Sequence, residues 1–192
     1  LPRAIRDVYK RQVLIIGPYN YPFQLVIEPL IGAIAAGNTA IIKPSEYTPH
    51  VSAVIETLIS EAFEPQYVTT VQGDAAVTET LLDLPFDYIF FTGSEKVGRN
   101  VYEKASKQLT PVTLELGGKS PVIVDETANI KIASERICFG KFVNAGQTCI
   151  APDYILVDRK VQPQLLRALK TTIQEFYGAP PNRVKTVSYT HL

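Results

Sequence analysis

Val13-Leu14-Ile15-Ile16-Gly17-Pro18 is the stretch from which the architecture of this chain can be worked out. An uninterrupted run of four apolar residues, three of them β-branched and followed by a Gly-Pro pair, is typical of a strand buried on both faces. Such a strand belongs to a sheet that carries helices above and below it. We therefore expect strands and helices to alternate along the chain.

The residues that follow show this alternation. We predict strands at 13–16, 39–43, 68–71, 88–91 and 111–116, and helices at 23–36, 50–62, 75–82 and 95–109. Pro29 lies inside the first helix and predicts a kink or a break near Glu28. Strands separated by single helices of this length form parallel crossovers, so the pattern predicts an α/β fold with a doubly wound, mostly parallel sheet.

The rhythm changes after Gly117-Gly118, where we place a domain boundary. A strand at 121–125, a long helix at 130–144, a cysteine-containing loop and a strand at 154–157 are expected there. We assign residues 13–116 to one domain and 117–184 to the first part of another. The lead-in at 1–12 is expected to be non-native or disordered and the tail at 185–192 is doubtful, so the pattern indicates a fragment; ordinary frayed termini are the alternative.

Composition excludes several classes of function. The chain has 192 residues, 46% of them hydrophobic, and its 19 basic and 19 acidic side chains cancel, so we expect neither nucleic acid nor an anionic membrane surface as a partner. No apolar run approaches the roughly 20 residues that span a bilayer, and no secretory signal is recognisable. Two cysteines do not make a disulfide framework, which favours a reducing, cytoplasmic compartment.

Polar residues follow the predicted strands, where ligands bind in an open parallel sheet. These residues are Asn20, Lys43, Glu46, Gly93-Ser94 and Glu115. Glu46 could accept the ribose hydroxyls of a dinucleotide while Lys43 steadies them. Helix capping by Ser45, with Glu46 in the first turn of the next helix, explains the same residues equally well.

The stretch from Phe91 to Gly98 is typical of a strand, a tight turn and the start of a helix. Such a turn directs backbone N–H groups and the Ser94 hydroxyl at a pyrophosphate. Gly93 and Gly98 are five residues apart and the middle glycine of the usual dinucleotide fingerprint is missing, so this pattern alone is a weak signal.

The two cysteines stand in different settings. Cys138 lies on the apolar face of a predicted helix, where a buried and inert thiol is the common case. Cys149 follows Gly146-Gln147-Thr148, a polar and flexible setting that suits a reactive thiolate. We predict no metal site and no cysteine–histidine protease, because the cysteines are 11 residues apart (149 − 138) and both histidines lie elsewhere.

Five strings of the sequence carry a further signal: Gly17-Pro18-Tyr19-Asn20-Tyr21-Pro22-Phe23, Lys43-Pro44-Ser45-Glu46, Phe91-Thr92-Gly93-Ser94, Leu114-Glu115-Leu116-Gly117-Gly118-Lys119-Ser120-Pro121 and Gly146-Gln147-Thr148-Cys149. Together they resemble the aldehyde dehydrogenase superfamily, in the family's order and with fitting spacing over about residues 13–180. The residues after Cys149 are most similar to the class 3 branch, which acts on fatty or aromatic aldehydes.

The resemblance implies a catalytic role for three residues. It makes Cys149 the nucleophile that attacks an aldehyde, Glu115 the general base, and Asn20 with the Cys149 backbone N–H the oxyanion hole. The implied reaction oxidises an aldehyde to a carboxylic acid through a cysteine thiohemiacetal and a thioester. Residues 117–184 would then be the first part of the catalytic domain.

The resemblance also implies a cofactor and a larger parent protein. Lys43 and Glu46 would hold the adenosine ribose of NAD, with NADP as the alternative, and Gly93, Ser94 and Gly98 would lie along its phosphates. Residues 13–116 would form a Rossmann-like dinucleotide-binding domain. The parent protein would be a homo-oligomer, and the resemblance implies a dimer. The resemblance leaves open whether the parent associates with a membrane.

Two other functions remain open at this point. One is a coenzyme-A-acylating aldehyde dehydrogenase, against which Glu115 argues, and the other is a non-catalytic dinucleotide-binding module. The family's oligomerisation segments and the rest of its substrate funnel have no counterpart in the 192 residues. We therefore expect this chain alone to be inactive or nearly so with a medium-chain aldehyde and NAD.

Overall fold

The structure is a computed structural model that describes residues 11–178. The expectations for a lead-in at 1–12 and a tail at 185–192 fall outside this range, apart from residues 11 and 12. The chain divides into two compact units between Leu116 and Gly117, called here the first and the second unit. No helix among residues 11–178 is both long enough and apolar enough to cross a membrane.

The first unit alternates strands and helices as the sequence predicts, with boundaries that shift by up to three residues. Its strands are β1 (Gln12–Ile16), β2 (Thr39–Lys43), β3 (Val68–Thr70), β4 (Tyr88–Thr92) and β5 (Val112–Glu115). Its helices are α1 (Gln24–Ala35), α2 (Pro49–Ala62), α3 (Ala75–Leu82) and α4 (Glu95–Ser106).

All five strands form one parallel sheet in the order β3-β2-β1-β4-β5. Side chains alternate between its faces because the side-chain period of a strand is two. Val13 and Ile15 of β1 pack with residues of α1 and α2, whereas Leu14 and Ile16 pack with residues of α3 and α4. The prediction of a doubly wound α/β sheet is thus confirmed.

Two helices in this unit differ from the prediction. Of the kink or break expected near Glu28, the break is wrong and the kink stays a prediction. Helix α1 continues through Pro29 without a break, since Val26, Leu30 and Ala33 are buried on both sides of the proline and hold the helix on the sheet. Helix α4 ends at Ser106 and not at Leu109. Leu109 adopts a left-handed conformation with φ 56°, and the chain closes the helix with a 3.0 Å hydrogen bond from the Thr110 N–H to the Ala105 carbonyl.

The second unit contains a small parallel sheet and two long helices. Its elements are β6 (Ser120–Val124), α5 (Ile130–Phe142), β7 (Pro152–Val157) and α6 (Gln162–Tyr177). Strands β6 and β7 pair in parallel, and Val124, Ile130, Ile137 and Leu165 form the centre of the core between this sheet and the helices. Helix α6 was not predicted from the sequence, although Pro163 in its first turn and the four-residue spacing of Leu165 and Leu169 are helix signals.

Candidate active site

The carboxyl ends of four strands are aligned at one edge of the large sheet. Ile16 of β1 is in register with Lys43 of β2 and with Phe91 of β4, and Thr92 is in register with Glu115 of β5. The strand order reverses between the neighbours of β1, and ligands of open α/β sheets bind at such a switch point. The polar residues that follow the strands therefore lie where this fold binds ligands.

Backbone hydrogen bonds continue past the strand ends. The Gly17 N–H donates to the Lys43 carbonyl at 3.0 Å, and the Gly93 N–H donates to the Glu115 carbonyl at 2.9 Å. The first turn after β1 and the first turn after β4 are consequently fixed by the same ladder that holds the sheet. The hydrogen bonds of the sheet therefore also fix the positions of the residues in these turns.

Lys43 and Glu46 form an ion pair at the end of β2. The Lys43 side chain is nearly fully buried, and its Nζ donates to Glu46 Oε2 at 2.7 Å. The Glu46 side chain keeps 34% of its surface exposed, so its carboxylate can still accept hydrogen bonds from a ligand. The pairing also explains how a lysine is tolerated in this interior, because a buried charge needs a partner.

The alternative of helix capping does not explain Lys43 and Glu46. Helix α2 begins at Pro49 with Thr48 before it, and no acidic residue lies in its first turn. Glu46 is three residues upstream of that helix. Ser45 instead organises the intervening turn, since its carbonyl accepts a 2.8 Å hydrogen bond from the Ser52 hydroxyl.

The turn between β4 and α4 has the geometry of a helix N-terminus aimed at the sheet edge. Ser94 is the N-cap, and its hydroxyl oxygen accepts a 3.3 Å hydrogen bond from the Val97 N–H. The hydroxyl can still donate to an anion. Glu95 places a negative charge in the first turn, but this carboxylate is paired with Arg99 at 2.5 Å. The helix end therefore stays compatible with a phosphate.

Gly98 allows α4 to lie close to the sheet. The residue is buried, and a Cβ atom at this position would lie 2.6 Å from Leu116 Cδ2 and 3.5 Å from the Phe91 ring. In dinucleotide-binding folds a glycine at the corresponding end of the helix has this packing role. Gly98 therefore packs α4 against the sheet at the base of the candidate site, and the sheet covers its backbone on that side.

Thr92 is a residue of this edge that was not predicted from the sequence. It is the last residue of β4, and its hydroxyl oxygen is buried without a hydrogen-bond partner among residues 11–178. A buried hydroxyl that lacks a partner is costly unless a ligand or water satisfies it. The one signal in the sequence is a polar residue at the end of an apolar run. Thr92 supports a site that is completed by a ligand.

The first unit holds the proposed oxyanion residue, Asn20, and the proposed general base, Glu115. Both residues are at least partly exposed to solvent. Asn20 lies four residues after β1 and is partly buried. Glu115 is the last residue of β5, and its side chain is exposed. Both therefore stand at the carboxyl edge on either side of β4, as the order of the strands requires.

The two cysteines of the second unit differ as predicted in their exposure. Cys138 lies on α5 and is 1% exposed, with its Sγ 3.9 Å from the Leu169 carbonyl oxygen. Burial raises the pKa of the Cys138 thiol above its ordinary value. Cys149 is exposed. Of the two thiols, Cys149 is the one that a small molecule can reach.

Helix α5 ends at Phe142, two residues before the predicted end at Asn144. Asn144 and Ala145 have left-handed backbone conformations, with φ 50° and 56°, and Gly146 follows with φ 78°. Right-handed helix cannot continue through such residues. The chain therefore leaves the helix axis three residues before Gln147 and enters the loop that carries Cys149.

Gly118 contacts the backbone of this loop. A Cβ atom at position 118 would collide with the Cys149 carbonyl oxygen, so only glycine permits this approach. A second link is formed by Asp153, which lies 3.4 Å from Lys119 Nζ and 3.9 Å from Lys141 Nζ. The cysteine loop is thus bordered by the start of the second unit and by the end of α5.

The predicted site residues are divided between the two units. The first unit holds Asn20, Lys43, Glu46, Gly93, Ser94, Gly98 and Glu115, and the second holds Cys149. Within residues 11–178, no group of three or more His, Cys, Asp or Glu side chains is arranged to hold a metal ion.

Comparison with known proteins gives a consistent result. A sequence profile described as the aldehyde dehydrogenase family matches residues 12–187. The 4,4'-diaponeurosporen-aldehyde dehydrogenase of Staphylococcus aureus is 69% identical over 166 residues, which is 86% of this chain and 36% of that protein. The dimeric NADP-preferring aldehyde dehydrogenase of Rattus norvegicus is 49% identical over 86% of this chain and 37% of its own length.

A solved structure of the substrate-bound state of Staphylococcus aureus AldH has the same fold. It superimposes with a TM-score of 0.85 at 68% identity, over 87% of this chain and 36% of that chain. The chain thus spans a little over a third of the length of the relatives that it matches. The profile covers nearly all of the described residues, and the chain belongs to the aldehyde dehydrogenase family.

Proposed function

We propose that this protein oxidises an aldehyde to a carboxylic acid with a nicotinamide dinucleotide, and that Cys149 is its nucleophile. The observation that carries the proposal is the contrast between the two thiols of a chain from this family. Cys149 is exposed in a polar loop after a left-handed turn, whereas Cys138 is buried in a helix. Only an accessible thiolate can attack a substrate.

The residues at the sheet edge fit a dinucleotide. Glu46, one-third exposed and paired with Lys43, would accept the ribose hydroxyls, and the Ser94 end of α4 would bind phosphate. The partnerless hydroxyl of Thr92 supports a bound group at the same edge. When bound, the dinucleotide supplies the hydride acceptor that turns a thiohemiacetal into a thioester.

The chemistry of the protein residues begins with the Cys149 thiolate. Its sulfur forms a bond to the aldehyde carbon, and the electron pair of the carbonyl double bond moves to the oxygen. The Asn20 carboxamide and the Cys149 backbone N–H donate hydrogen bonds to this oxygen. Uncharged donors of this kind stabilise a developing negative charge without titrating themselves.

Glu115 completes the reaction in this proposal. Its carboxylate takes a proton from a water molecule, whose oxygen attacks the thioester carbon. The carbon–sulfur bond then breaks, which releases the carboxylic acid and restores the Cys149 thiolate. Exposure of the Glu115 side chain supports this role, since the attacking water must reach it.

We favour NAD over NADP as the cofactor. A glutamate at position 46 repels a 2′-phosphate by charge, and Lys43, which could attract one, is already paired with that glutamate. The rat relative, whose name says NADP-preferring, shows that the family also accepts NADP. We therefore propose that NADP is used less efficiently.

The proposal extends to substrate and assembly. Similarity to class 3 relatives supports a fatty or aromatic aldehyde as substrate, and the name of the rat relative, which says dimeric, supports a homodimer. Both described cysteines are free thiols, which supports the expectation of a reducing, cytoplasmic compartment.

The test is a product analysis with the full-length protein, a medium-chain aldehyde and NAD, with and without free coenzyme A. We expect one carboxylic acid for each NADH, without any need for coenzyme A. Formation of an acyl-coenzyme A thioester would favour the acylating alternative. Binding of NAD without consumption of any aldehyde tested would favour a non-catalytic dinucleotide-binding module.

A further inference from the structure

The turn before Cys149 has an unfavourable choice of residues. Residues 144–147 form a β-turn in which the Gln147 N–H donates to the Asn144 carbonyl at 3.1 Å. Its two central residues, Ala145 and Gly146, have φ 56° and 78°, which is the arrangement of a type I′ turn. Such turns prefer Asn or Gly at both central positions. Gly146 fits this preference and Ala145 does not.

Left-handed alanine is a strained conformation. The Cβ atom approaches a neighbouring carbonyl, which makes this conformation unfavourable for residues other than glycine. Asn144 is itself left-handed at φ 50°, so two consecutive non-glycine residues adopt this conformation. Local strain of this kind persists only where other contacts hold it, and it is found preferentially near functional groups.

The Gln147 side chain adds a second hydrogen bond across the turn. Its Nε2 donates to the Asn144 carbonyl oxygen at 3.0 Å, so this oxygen accepts from both the backbone and the side chain of the same residue. A carbonyl oxygen has two lone pairs and can accept both hydrogen bonds. The side chain is partly buried, which limits competition from water.

Two glycines lie in close contact with the surrounding backbone, one inside the turn and one beside the loop. A Cβ atom at Gly146 would lie 2.9 Å from the Lys141 carbonyl oxygen, and Gly118 contacts the Cys149 carbonyl as described above. The loop therefore lies tightly between the end of α5 and residue 118. Within it, the central residues of the turn are the part that strain favours opening.

We propose that Gln147 is a positioning residue: its side-chain hydrogen bond to the Asn144 carbonyl holds the strained left-handed turn that places Cys149. In this proposal the residue acts through the backbone of the turn. Its effect on catalysis rests on the proposed function of Cys149, whereas its effect on the turn does not. The two can therefore be tested separately.

The first readout is amide hydrogen exchange of the 143–149 segment in the full-length protein. Gln147→Met keeps the length of the side chain and its neutrality but removes the donor, and we expect exchange to accelerate about two- to tenfold. Gln164→Met is the matched control, because Gln164 is exposed in the first turn of α6 and makes no side-chain hydrogen bond among the described residues. We expect no change in this variant.

The second readout is rescue. Ala145→Gly removes the left-handed strain, so the double variant with Gln147→Met should exchange about threefold or more slowly than Gln147→Met alone. We also expect kcat to fall in Gln147→Met and to recover in the double variant, while KM for NAD stays unchanged in both. A merely structural role of Gln147 would not be rescued by a substitution that relieves strain two residues away.

The outcomes separate the two proposals. If the wild-type protein has no dehydrogenase activity, the function proposed above is wrong, and the exchange experiment still tests the turn. Wild-type exchange rates in Gln147→Met would overturn the role of Gln147. That role would also be overturned if kcat fell in Gln147→Met and Ala145→Gly restored neither exchange nor kcat.

Discussion

The edge of the large sheet and the cysteine loop position their residues by opposite means. At the sheet edge, Lys43 and Glu115 end regular strands, and the backbone ladder continues into the turns that follow. In the loop, Cys149 follows two non-glycine residues with positive φ, outside any regular element. The first region is held by repeated hydrogen bonds, and the second is held by a few specific contacts.

This difference has a consequence for mutation. Many backbone hydrogen bonds hold the sheet edge, so a side chain there can be substituted with little effect on the positions of its neighbours. The loop depends on single contacts, so one substitution can displace Cys149. Substitutions in the two regions should therefore differ in their effects, and the largest effect is expected at the thiol of the loop.

Substitution of one cysteine at a time tests this expectation. Cys149→Ser in the full-length protein should lower kcat at least about a thousandfold, because nucleophile and base act as a unit whose loss removes most of the catalysis. Cys138→Ser should keep activity within about threefold, since this thiol is buried away from solvent. Steady-state NADH formation measures both. Equal losses in the two variants would show that Cys149 has no special role.

The second-largest effect is expected at Asn20, the proposed oxyanion donor of the sheet edge. Asn20→Ala should reduce kcat by about 10²–10³-fold, the usual effect of removing one such donor. KM for NAD should change little. Asn38→Ala is the control and should remain active. Asn38 is also a partly buried asparagine, but it lies at the other end of β2. A loss confined to KM would assign Asn20 to substrate binding and remove it from the oxyanion hole.

Cofactor choice should show a moderate effect. Glu46→Gln removes the charge that repels a 2′-phosphate and frees the Lys43 ammonium to attract one, so the preference for NAD over NADP should fall about tenfold. Glu103→Gln, an exposed position on α4, controls for the change in net charge. The ratio of kcat/KM for the two cofactors is the measurement. An unchanged ratio would contradict the ribose-binding role of Glu46.

Alkaline pH should give the smallest effect. Burial raises the pKa of Cys138 from its ordinary 9.0, and burial together with the Cys138 charge raises the pKa of Tyr177. The folded state holds these protons more tightly, so their contribution to stability is complete below the ordinary thiol pKa and is lost as the pH rises through the folded values. Urea unfolding at about pH 7.5 and about pH 10 should show this loss, and Cys138→Ala should reduce it. An identical loss in the variant would exclude the thiol as a cause.

Regular structure could be predicted where local pattern and packing agree. Strand β2 and helix α3 have the boundaries that the sequence predicts, because apolar runs and turn residues mark both ends. The unbroken α1 was not predictable, since burial on the sheet outweighed the effect of Pro29. Local propensity loses to tertiary packing in such cases.

Prediction of the site was limited by irregular backbone. The strand ends identified Lys43 and Glu115 as candidates and suggested a ribose-binding role for Lys43, but the role of Glu115 came from the family resemblance. The left-handed turn was not predicted, because no local pattern in the sequence fixes a positive φ at Asn144 and Ala145, and alanine is a strong helix former. Thr92 was missed because only the structure shows that its hydroxyl is buried without a partner among the described residues.

The most direct test of the proposed chemistry is to trap the acyl group on Cys149. Glu115→Gln in the full-length protein should still allow attack and oxidation but not activation of water, so the thioester should accumulate. After addition of a medium-chain aldehyde and NAD, intact-mass and peptide analysis should find one acyl group on Cys149 and none on Cys138. Absence of an adduct while NADH is formed, or an adduct on another residue, would contradict aldehyde oxidation through Cys149 with Glu115 as the base.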